Sequence, residues 1–276
     1  MVTATFRFYQ ELGDFLPRER RGRTFATECA HRSTTKHMIE ALGVPHTEVE
    51  MVLVNGKESG FDRALEEGDH IAVYARFELL EVGPHGGQGP ERLRERPRGR
   101  MRFVADSHLG ALARLLRMAG YGTLYDNHYH DDEVEELAGR DDRIVLTRDR
   151  ELLKRRSIVH GCYIHALEPA QQLRELFERL ELPDGARPFS LCLHCDAVLR
   201  AVDKASVIER LPPSVRAQHD SFTTCDTCQR VYWKGSHYKR MTQFLADVAG
   251  DEDGALGDVA GVESAGPADV SGDYPS

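Results

Sequence analysis

The sequence predicts an α/β protein with a central parallel-sheet domain between a small α+β domain and a cysteine-rich metal-binding segment. Three observations support this prediction. Short apolar strands alternate with helix-like segments from residue 101 to about 182. Apolar and polar residues alternate from Val2 to Phe8, as in a half-buried strand. Two CxxC pairs follow the central region, and 276 residues suffice for two or three domains.

Residues 1–82 are predicted to form a β-grasp domain. After the first strand, a helix is expected from about Thr34 to Leu42, capped by Ser33 or Thr34. The pair Asn55-Gly56 predicts a hairpin turn because both residues tolerate positive φ. The last strand is His70–Ala75. The order of these elements is ββαββ-like, which is typical of a β-grasp.

Through Val54-Asn55-Gly56 and Glu67-Gly68-Asp69, followed by Val73-Tyr74, this domain resembles the ubiquitin-like sulfur-carrier proteins of the ThiS and MoaD type. Those carriers use a free C-terminal Gly-Gly. Here Gly86-Gly87 is internal and 189 residues follow it, so carrier chemistry is not expected. A binding or structural module with a protein partner is the better interpretation.

Residues 83–100 are predicted to be a linker, because Gly, Pro and charged residues dominate and apolar periodicity is lacking. Arginine recurs at every second position from Arg92 to Arg102. Two interpretations remain open. The arginines form a solvated, self-repelling spacer, or they form an arm that tracks RNA phosphates.

The formal charge of −9 is concentrated in a tail, residues 246–276, that is predicted to be disordered. Seven acids and no Lys or Arg lie beyond residue 249, so residues 1–249 carry only −2. The acidic balance therefore does not exclude nucleic-acid binding. No apolar run reaches bilayer length and no signal-peptide pattern is present, so a cytoplasmic protein without a membrane partner is expected.

Acidic residues follow the predicted strands of the central domain. Asp106 comes directly after one apolar strand, Asp149 follows another, and Asp131-Asp132 open a helix between them. Ligands of parallel α/β sheets bind outside the carboxyl ends of the strands. Carboxylates converging there repel one another unless a hard cation such as Mg²⁺ or Mn²⁺ joins them. This pattern favours a metal-dependent nuclease centre, although Asp106, Asp131 and Asp149 could each be a helix N-cap instead.

Two cysteine pairs predict a structural zinc site. Each CxxC offers two thiolates, and four thiolates complete a tetrahedral Zn²⁺ site with no open position for catalysis. The ligands would be Cys192, Cys195, Cys225 and Cys228. The 29 residues between the pairs exceed the usual spacing, so an inserted hairpin or helix is expected. A redox-active dithiol is the alternative.

Basic and aromatic residues alternate directly after the second pair. They are Arg230, Tyr232, Trp233, Lys234, His237, Tyr238, Lys239 and Arg240. This composition suits contact with RNA phosphates plus base stacking. Alternatively, Tyr232 and Trp233 pack against the zinc knuckle.

Residues 101–240 resemble the Mut-seven carboxy-terminal RNase family, a PIN-like nuclease fold (here 101–185) followed by a zinc ribbon (here 186–245). The matching motifs are Phe103-Val104-Ala105-Asp106, Leu109-Gly110, Leu112 to Arg117, Gly120-Tyr121, Asp131-Asp132, Leu146-Thr147-Arg148-Asp149, both CxxC pairs and Val231 to His237. Bacterial members of the family carry an N-terminal ubiquitin-like domain, in agreement with residues 1–82.

The resemblance implies a metal-dependent ribonuclease with RNA as its partner. Its catalytic residues would be Asp106, Asp131, Asp132 and Asp149, with Arg148 and Arg117 as phosphate or transition-state contacts. The Mg²⁺ or Mn²⁺ ligands would be Asp106, Asp132 and Asp149. Either arginine could instead be a structural partner of the aspartates. Many PIN-like sites use a fourth acid, for which Glu133 and Asp126 are candidates. The alternative function is a non-catalytic RNA-binding or adaptor protein.

Overall fold

The computed structural model describes residues 1–75, 101–180, 182, 187–249 and 266–267. They form two compact units, of which the first contains residues 1–75 and 130–163 and the second contains the remainder. The predicted linker, with Gly86-Gly87 and its five arginines from Arg92 to Arg100, lies outside the described residues, as does most of the predicted tail.

The N-terminal domain (residues 1–75) is a five-stranded sheet with one α-helix, which confirms the β-grasp prediction. Its elements are β1 (Val2–Phe8), β2 (Phe25–Cys29), α1 (Thr35–Ala41), β3 (Val49–Val54), β4 (Lys57–Glu58) and β5 (His70–Ala75), with 3-10 helices at Gln10–Phe15, Arg18–Arg20 and His46–Glu48. The strand order is β2-β1-β5-β3-β4. Only the pair β1–β5 is parallel, and the other pairs are antiparallel.

Local signals in this domain act as the sequence predicts. The Thr34 side chain caps α1 by accepting from the His37 N–H at 3.2 Å. Asn55 and Gly56 have φ of 53° and 77°, the conformation that a tight hairpin between β3 and β4 requires. Buried Asp69 accepts hydrogen bonds from the Asn55 side chain and the Glu66 N–H, so it fixes the loop before β5.

The central domain (residues 101–180) alternates strands and helices. Its elements are β6 (Phe103–Ala105), a 3-10 helix (Ser107–Leu109), α2 (Gly110–Met118), β7 (Thr123–Leu124), α3 (Asp131–Asp141), β8 (Ile144–Thr147), α4 (Arg150–Leu153), β9 (Gly161–Tyr163) and α5 (Pro169–Leu180). The pairs β6–β7 and β8–β9 are both parallel. Every residue of β6 and β8 is buried, as in strands covered on both faces. The predicted parallel-sheet α/β class is confirmed.

The cysteine-rich domain (residues 187–249) contains an antiparallel sheet. Its elements are β10 (Arg200–Val202), α6 (Lys204–Val207), a 3-10 helix (Ile208–Arg210), α7 (Pro213–Gln218), β11 (Phe222–Thr224), β12 (Val231–Trp233) and α8 (Ser236–Ala249), and the sheet continues into β13 (Gly266–Pro267). Helices α6 and α7 confirm the insertion expected between the cysteine pairs. Helix α8 extends to Ala249 and β13 pairs with β12, so the end of α8 and the whole of β13 lie within the range of the predicted tail.

Candidate functional site

In the second unit, Asp106 stands at the carboxyl end of β6 and is 9% exposed. Its Oδ1 accepts from the Ser107 N–H at 2.5 Å and from the Ser107 hydroxyl at 3.1 Å, so it is the N-cap of the following 3-10 helix. The Tyr125 hydroxyl donates to the Ser107 carbonyl at 3.0 Å. A Cβ on Gly110 would lie 2.5 Å from the Tyr125 ring, so the glycine allows this close packing. The Asp106 carboxylate is therefore held in a fixed orientation.

In the first unit, Arg148 and Asp149 form the turn from β8 into α4. The exposed Asp149 is the N-cap of α4, because its Oδ1 accepts from the Glu151 N–H at 2.8 Å. Its own N–H donates to Oγ1 of the buried Thr147 at 2.9 Å. Arg148, between Thr147 and Asp149 in the sequence, is half-buried. This turn presents one acidic and one basic side chain directly after a buried parallel strand.

Asp131 and Asp132 begin α3, but Asp131 is not the N-cap of that helix. The cap is His130, whose N–H donates to Glu133 Oε2 at 2.9 Å. Glu133, a candidate for the fourth acid, is thus used to cap the helix. Asp126, the other candidate, accepts from the backbone N–H and the ring of His128, and these bonds lower the pKa of its carboxyl.

Arg155 brings Asp131 and Asp132 together, and sequence reasoning did not identify it. Its guanidinium lies 3.2 Å from Asp131 Oδ2, 2.5 Å from Asp132 Oδ1 and 2.8 Å from Glu135 Oε2. The bonds to Glu135 and then Asp132 raise the pKa of Arg155. A cation that binds Asp131 or Asp132 must therefore compete with this guanidinium.

Arg117 has a different role from the predicted phosphate contact. It is 3% exposed, and its Nε donates to the Thr123 carbonyl at 2.8 Å. Its Nη1 donates to the carbonyls of Leu193 and His194 at 3.2 and 2.7 Å, and Asp196 Oδ1 lies 3.7 Å from Nε. Burial lowers the pKa of Arg117, and Asp196 opposes this shift. Arg117 therefore joins α2 to the first cysteine knuckle and does not face solvent.

The four predicted zinc ligands form one cluster, with all four sulfurs within 4.8 Å of one another. The Sγ atoms of Cys192 and Cys228 are 3.5 Å apart, and those of Cys195 and Cys225 are 3.4 Å apart. A tetrahedral ion with Zn–S bonds of about 2.3 Å places its sulfurs about 3.8 Å apart. The donor set and its spacing therefore fit zinc.

Neighbouring groups favour thiolate at part of this cluster. Burial tends to raise the pKa of Cys228, but hydrogen bonds from Arg230 outweigh burial and lower this pKa to about 7. Burial raises the pKa of Cys195 to about 12. The buried Tyr232 hydroxyl lies 3.1 Å from Cys192 Sγ, so Tyr232 packs on the cluster and is not available to stack on a base.

A parallel α/β domain with aspartates after its strands, followed by a four-cysteine cluster, belongs to the class of PIN-like nuclease architectures that the sequence resembles. The family model described as Mut7-C RNAse domain matches residues 101–245, and the model described as Mut7-C ubiquitin matches residues 1–81. Since the first match alone covers more than half of the chain, the protein belongs to the Mut7-C RNAse family and carries the Mut7-C ubiquitin domain.

Two crystal structures of small archaeal modifier protein 1 from Haloferax volcanii are similar to part of the chain. Each is 18% identical, with a TM-score of 0.23, and the match covers 27% or 28% of this chain and 98% of the archaeal chain. No curated protein matches the chain. Within the described ranges, every helix is too short or too polar to cross a bilayer.

Proposed function

We propose that this protein is a metal-dependent ribonuclease that hydrolyses RNA phosphodiester bonds. The observation that carries the proposal is the Mut7-C RNAse match over residues 101–245, within which lie Asp106 and Asp149. Each of these two aspartates follows a buried strand of a parallel pair. That is the position at which α/β proteins bind their ligands.

We propose Asp106, Asp132 and Asp149 as the residues that hold Mg²⁺ or Mn²⁺, with Asp131 beside them. Carboxylate oxygens are the ligands that these hard cations prefer. The caps formed by Asp106 and Asp149 both use Oδ1. When bound, the metal would activate water and neutralise charge developing on the phosphate.

The chain's own cations have distinct roles in this proposal. Arg148, next to Asp149 and half-buried, is proposed as a contact to the reacting phosphate. Arg155 is proposed to orient Asp131 and Asp132, with which it forms ion pairs. Arg117 is not proposed as a phosphate contact, because it is buried and bonded to backbone carbonyls and so has a structural role.

Zinc is proposed as a structural ion, because four thiolates fill a tetrahedral site and leave no position for substrate. RNA affinity is proposed to come from exposed cations after β12, namely Lys234, Lys239 and Arg240, and from the predicted linker. We also propose a cytoplasmic location, because cysteine pairs used for metal rather than disulfides are typical of reducing compartments.

Asp106→Asn tests the metal centre. It removes one charge and one metal ligand but keeps the size of the side chain. Cleavage of unstructured RNA in Mn²⁺ should fall by about 100-fold or more, since even groups behind metal ligands cost 10–100-fold when lost. Chelation by EDTA should abolish the activity of the parent, while thermal unfolding and zinc content of the variant should stay unchanged.

The matched control is Asp203→Asn, the same chemical change at an exposed helix N-cap in the cysteine-rich domain. It should cleave RNA at the parental rate. Parental activity in Asp106→Asn would refute the metal-centre assignment.

The second candidate is a non-catalytic RNA-binding adaptor. It is favoured by one observation, the pairing of Asp131 and Asp132 with Arg155, which supplies a positive charge without any metal. Binding of RNA without metal-dependent cleavage by the parent would select this alternative.

A further inference from the structure

Within the first unit, the N-terminal domain packs directly on the segment that carries Asp149. Arg150 Nη1 donates to the Phe15 carbonyl at 3.1 Å. The Arg150 guanidinium also lies 5.0 Å from the centre of the Phe15 ring and 5.7 Å from that of Tyr163. The two rings meet edge to face at 5.2 Å, so Arg150 and Tyr163 surround a residue of the β-grasp core.

A second set of contacts lies along β9. Glu48, which is 4% exposed, accepts from the Tyr163 N–H through Oε1 at 2.6 Å. The buried His46 ring forms a hydrogen bond with the Ile158 carbonyl, 3.0 Å from Nε2, and its Nδ1 lies 2.8 Å from Glu40 Oε1 without the geometry of a hydrogen bond. Glu48 and His46 are buried, so their hydrogen bonds to Tyr163 and Ile158 define one geometry between the two surfaces, because any slip leaves these polar groups unsatisfied. The domain is therefore docked on this segment in one orientation.

The docked segment includes the helix that Asp149 caps. Helix α4 has four residues, Arg150–Leu153, and a single turn is not stable without tertiary support. On one side, Leu152 and Leu153 are buried. On the other, Arg150 is the first residue of α4 and is held by Phe15. The orientation of the Asp149 carboxylate therefore depends on a contact made by the N-terminal domain.

We propose that Arg150 is a positioning residue, through which the ubiquitin-like domain holds Asp149 in the orientation that binds metal. The domain is then a fixed part of the nuclease site and not only a tethered module that recruits partners. This inference rests on the proposed function, since it takes Asp149 to be a metal ligand.

The test compares three variants of the full chain. Arg150→Met removes the guanidinium but keeps the aliphatic stem, Arg150→Lys restores the charge, and Arg156→Met makes the same change at an exposed arginine of the same segment. Amide hydrogen exchange across residues 149–153 is measured without metal or RNA. Exchange in Arg150→Met should be faster by about tenfold or more, as expected for loss of a charge-assisted bond. Arg156→Met should match the parent, and Arg150→Lys should lie between.

The functional arm measures cleavage against Mn²⁺ and against RNA separately. The Mn²⁺ concentration for half-maximal rate should rise about tenfold in Arg150→Met, while KM for RNA stays constant. Glu48→Ala changes the contact between the N-terminal domain and this segment, because it removes the acceptor of the Tyr163 N–H. It should also raise amide exchange across residues 149–153 and the Mn²⁺ requirement. This additional variant keeps the test valid if Arg150→Met folds poorly.

Unchanged exchange in both Arg150→Met and Glu48→Ala would overturn the inference, and so would a raised KM for RNA with an unchanged Mn²⁺ requirement. The second result would make Arg150 a substrate contact. A parent that neither binds Mn²⁺ nor cleaves RNA would instead refute the proposed function, and with it the role of Asp149 as the metal ligand that Arg150 positions.

Discussion

Replacing Arg117 by methionine should destabilise the second unit, because this buried guanidinium joins α2 to the first cysteine knuckle. The variant loses hydrogen bonds to three carbonyls, those of Thr123, Leu193 and His194, and the ion pair with Asp196. Methionine has an unbranched apolar side chain that occupies most of the space of the aliphatic part of Arg117. The change therefore removes polar contacts with little loss of packing volume.

The magnitude follows from burial. Breaking a buried pair by removing one partner costs about 3–5 kcal/mol, because the remaining charge stays buried. Two physical effects make the expected loss of stability smaller than this. The variant no longer has to desolvate the guanidinium, whose lowered pKa reports that penalty. In addition, Asp196 still accepts from the Thr123 N–H at 2.7 Å. We expect a loss of about 3 kcal/mol, or about 6–12 °C in Tm at about 2–4 °C per kcal/mol for a domain of this size.

Guanidinium denaturation followed by fluorescence provides the assay, because Trp233 is the only tryptophan of the chain and packs in the cysteine-rich domain. Arg114→Met is the matched control, an exposed arginine one turn earlier on α2. It should change stability by less than about 0.5 kcal/mol. If Arg117→Met unfolds at the same denaturant concentration as Arg114→Met, Arg117 does not stabilise the contact between α2 and the first cysteine knuckle.

Two further predictions concern zinc and pH. Cys225→Ser should lose zinc and loosen the cysteine-rich domain, since structural zinc supplies about 10 kcal/mol or more to small domains; a stoichiometric zinc signal in the purified variant would be incompatible with the site. Asp69 has a lowered pKa because hydrogen bonds from the Glu66 N–H, Arg63 and Asn55 outweigh its burial. Its stabilisation is therefore complete above about pH 4, the unfolded value, and is lost as pH falls through the lower folded value. Asp69→Asn should unfold at a lower temperature than the parent at pH 7, and the gap should narrow toward pH 2; a constant gap would contradict this linkage.

Signals that act over a few residues could be predicted from the sequence. The apolar runs of β6 and β8 indicated buried strands, Asn55-Gly56 indicated the hairpin, and Thr34 was one of two expected caps of α1. The sequence leaves capping of α3 by Asp131 open as an alternative to metal binding, and the structure has His130 as the cap. Glu133 follows His130 by three residues, which is the spacing of a reciprocal cap.

The roles of two arginines could not be predicted, because their partners are distant in sequence. Arg117 follows the apolar stripe of α2 and looks like a solvated cation, yet it bonds to carbonyls 76 and 77 residues away. Arg155 binds acids 20 to 24 residues away. No periodicity or spacing rule relates such positions. The sequence leaves two roles open for Arg117, a phosphate or transition-state contact and a structural partner of the aspartates, and neither includes these carbonyls.

The cysteine cluster and Asp106 are linked by a series of contacts within the second unit, so we predict that the proposed zinc ion supports the position of Asp106. The first knuckle holds Arg117 and the Thr123 N–H, and Thr123 begins β7. Tyr125 follows that strand and donates to the Ser107 carbonyl, next to the Asp106 cap. Loss of zinc should loosen the knuckle first and the loop after β6 second. Reduced cleavage in a zinc-free protein would therefore reflect a displaced Asp106, and it would not show that zinc takes part in the reaction.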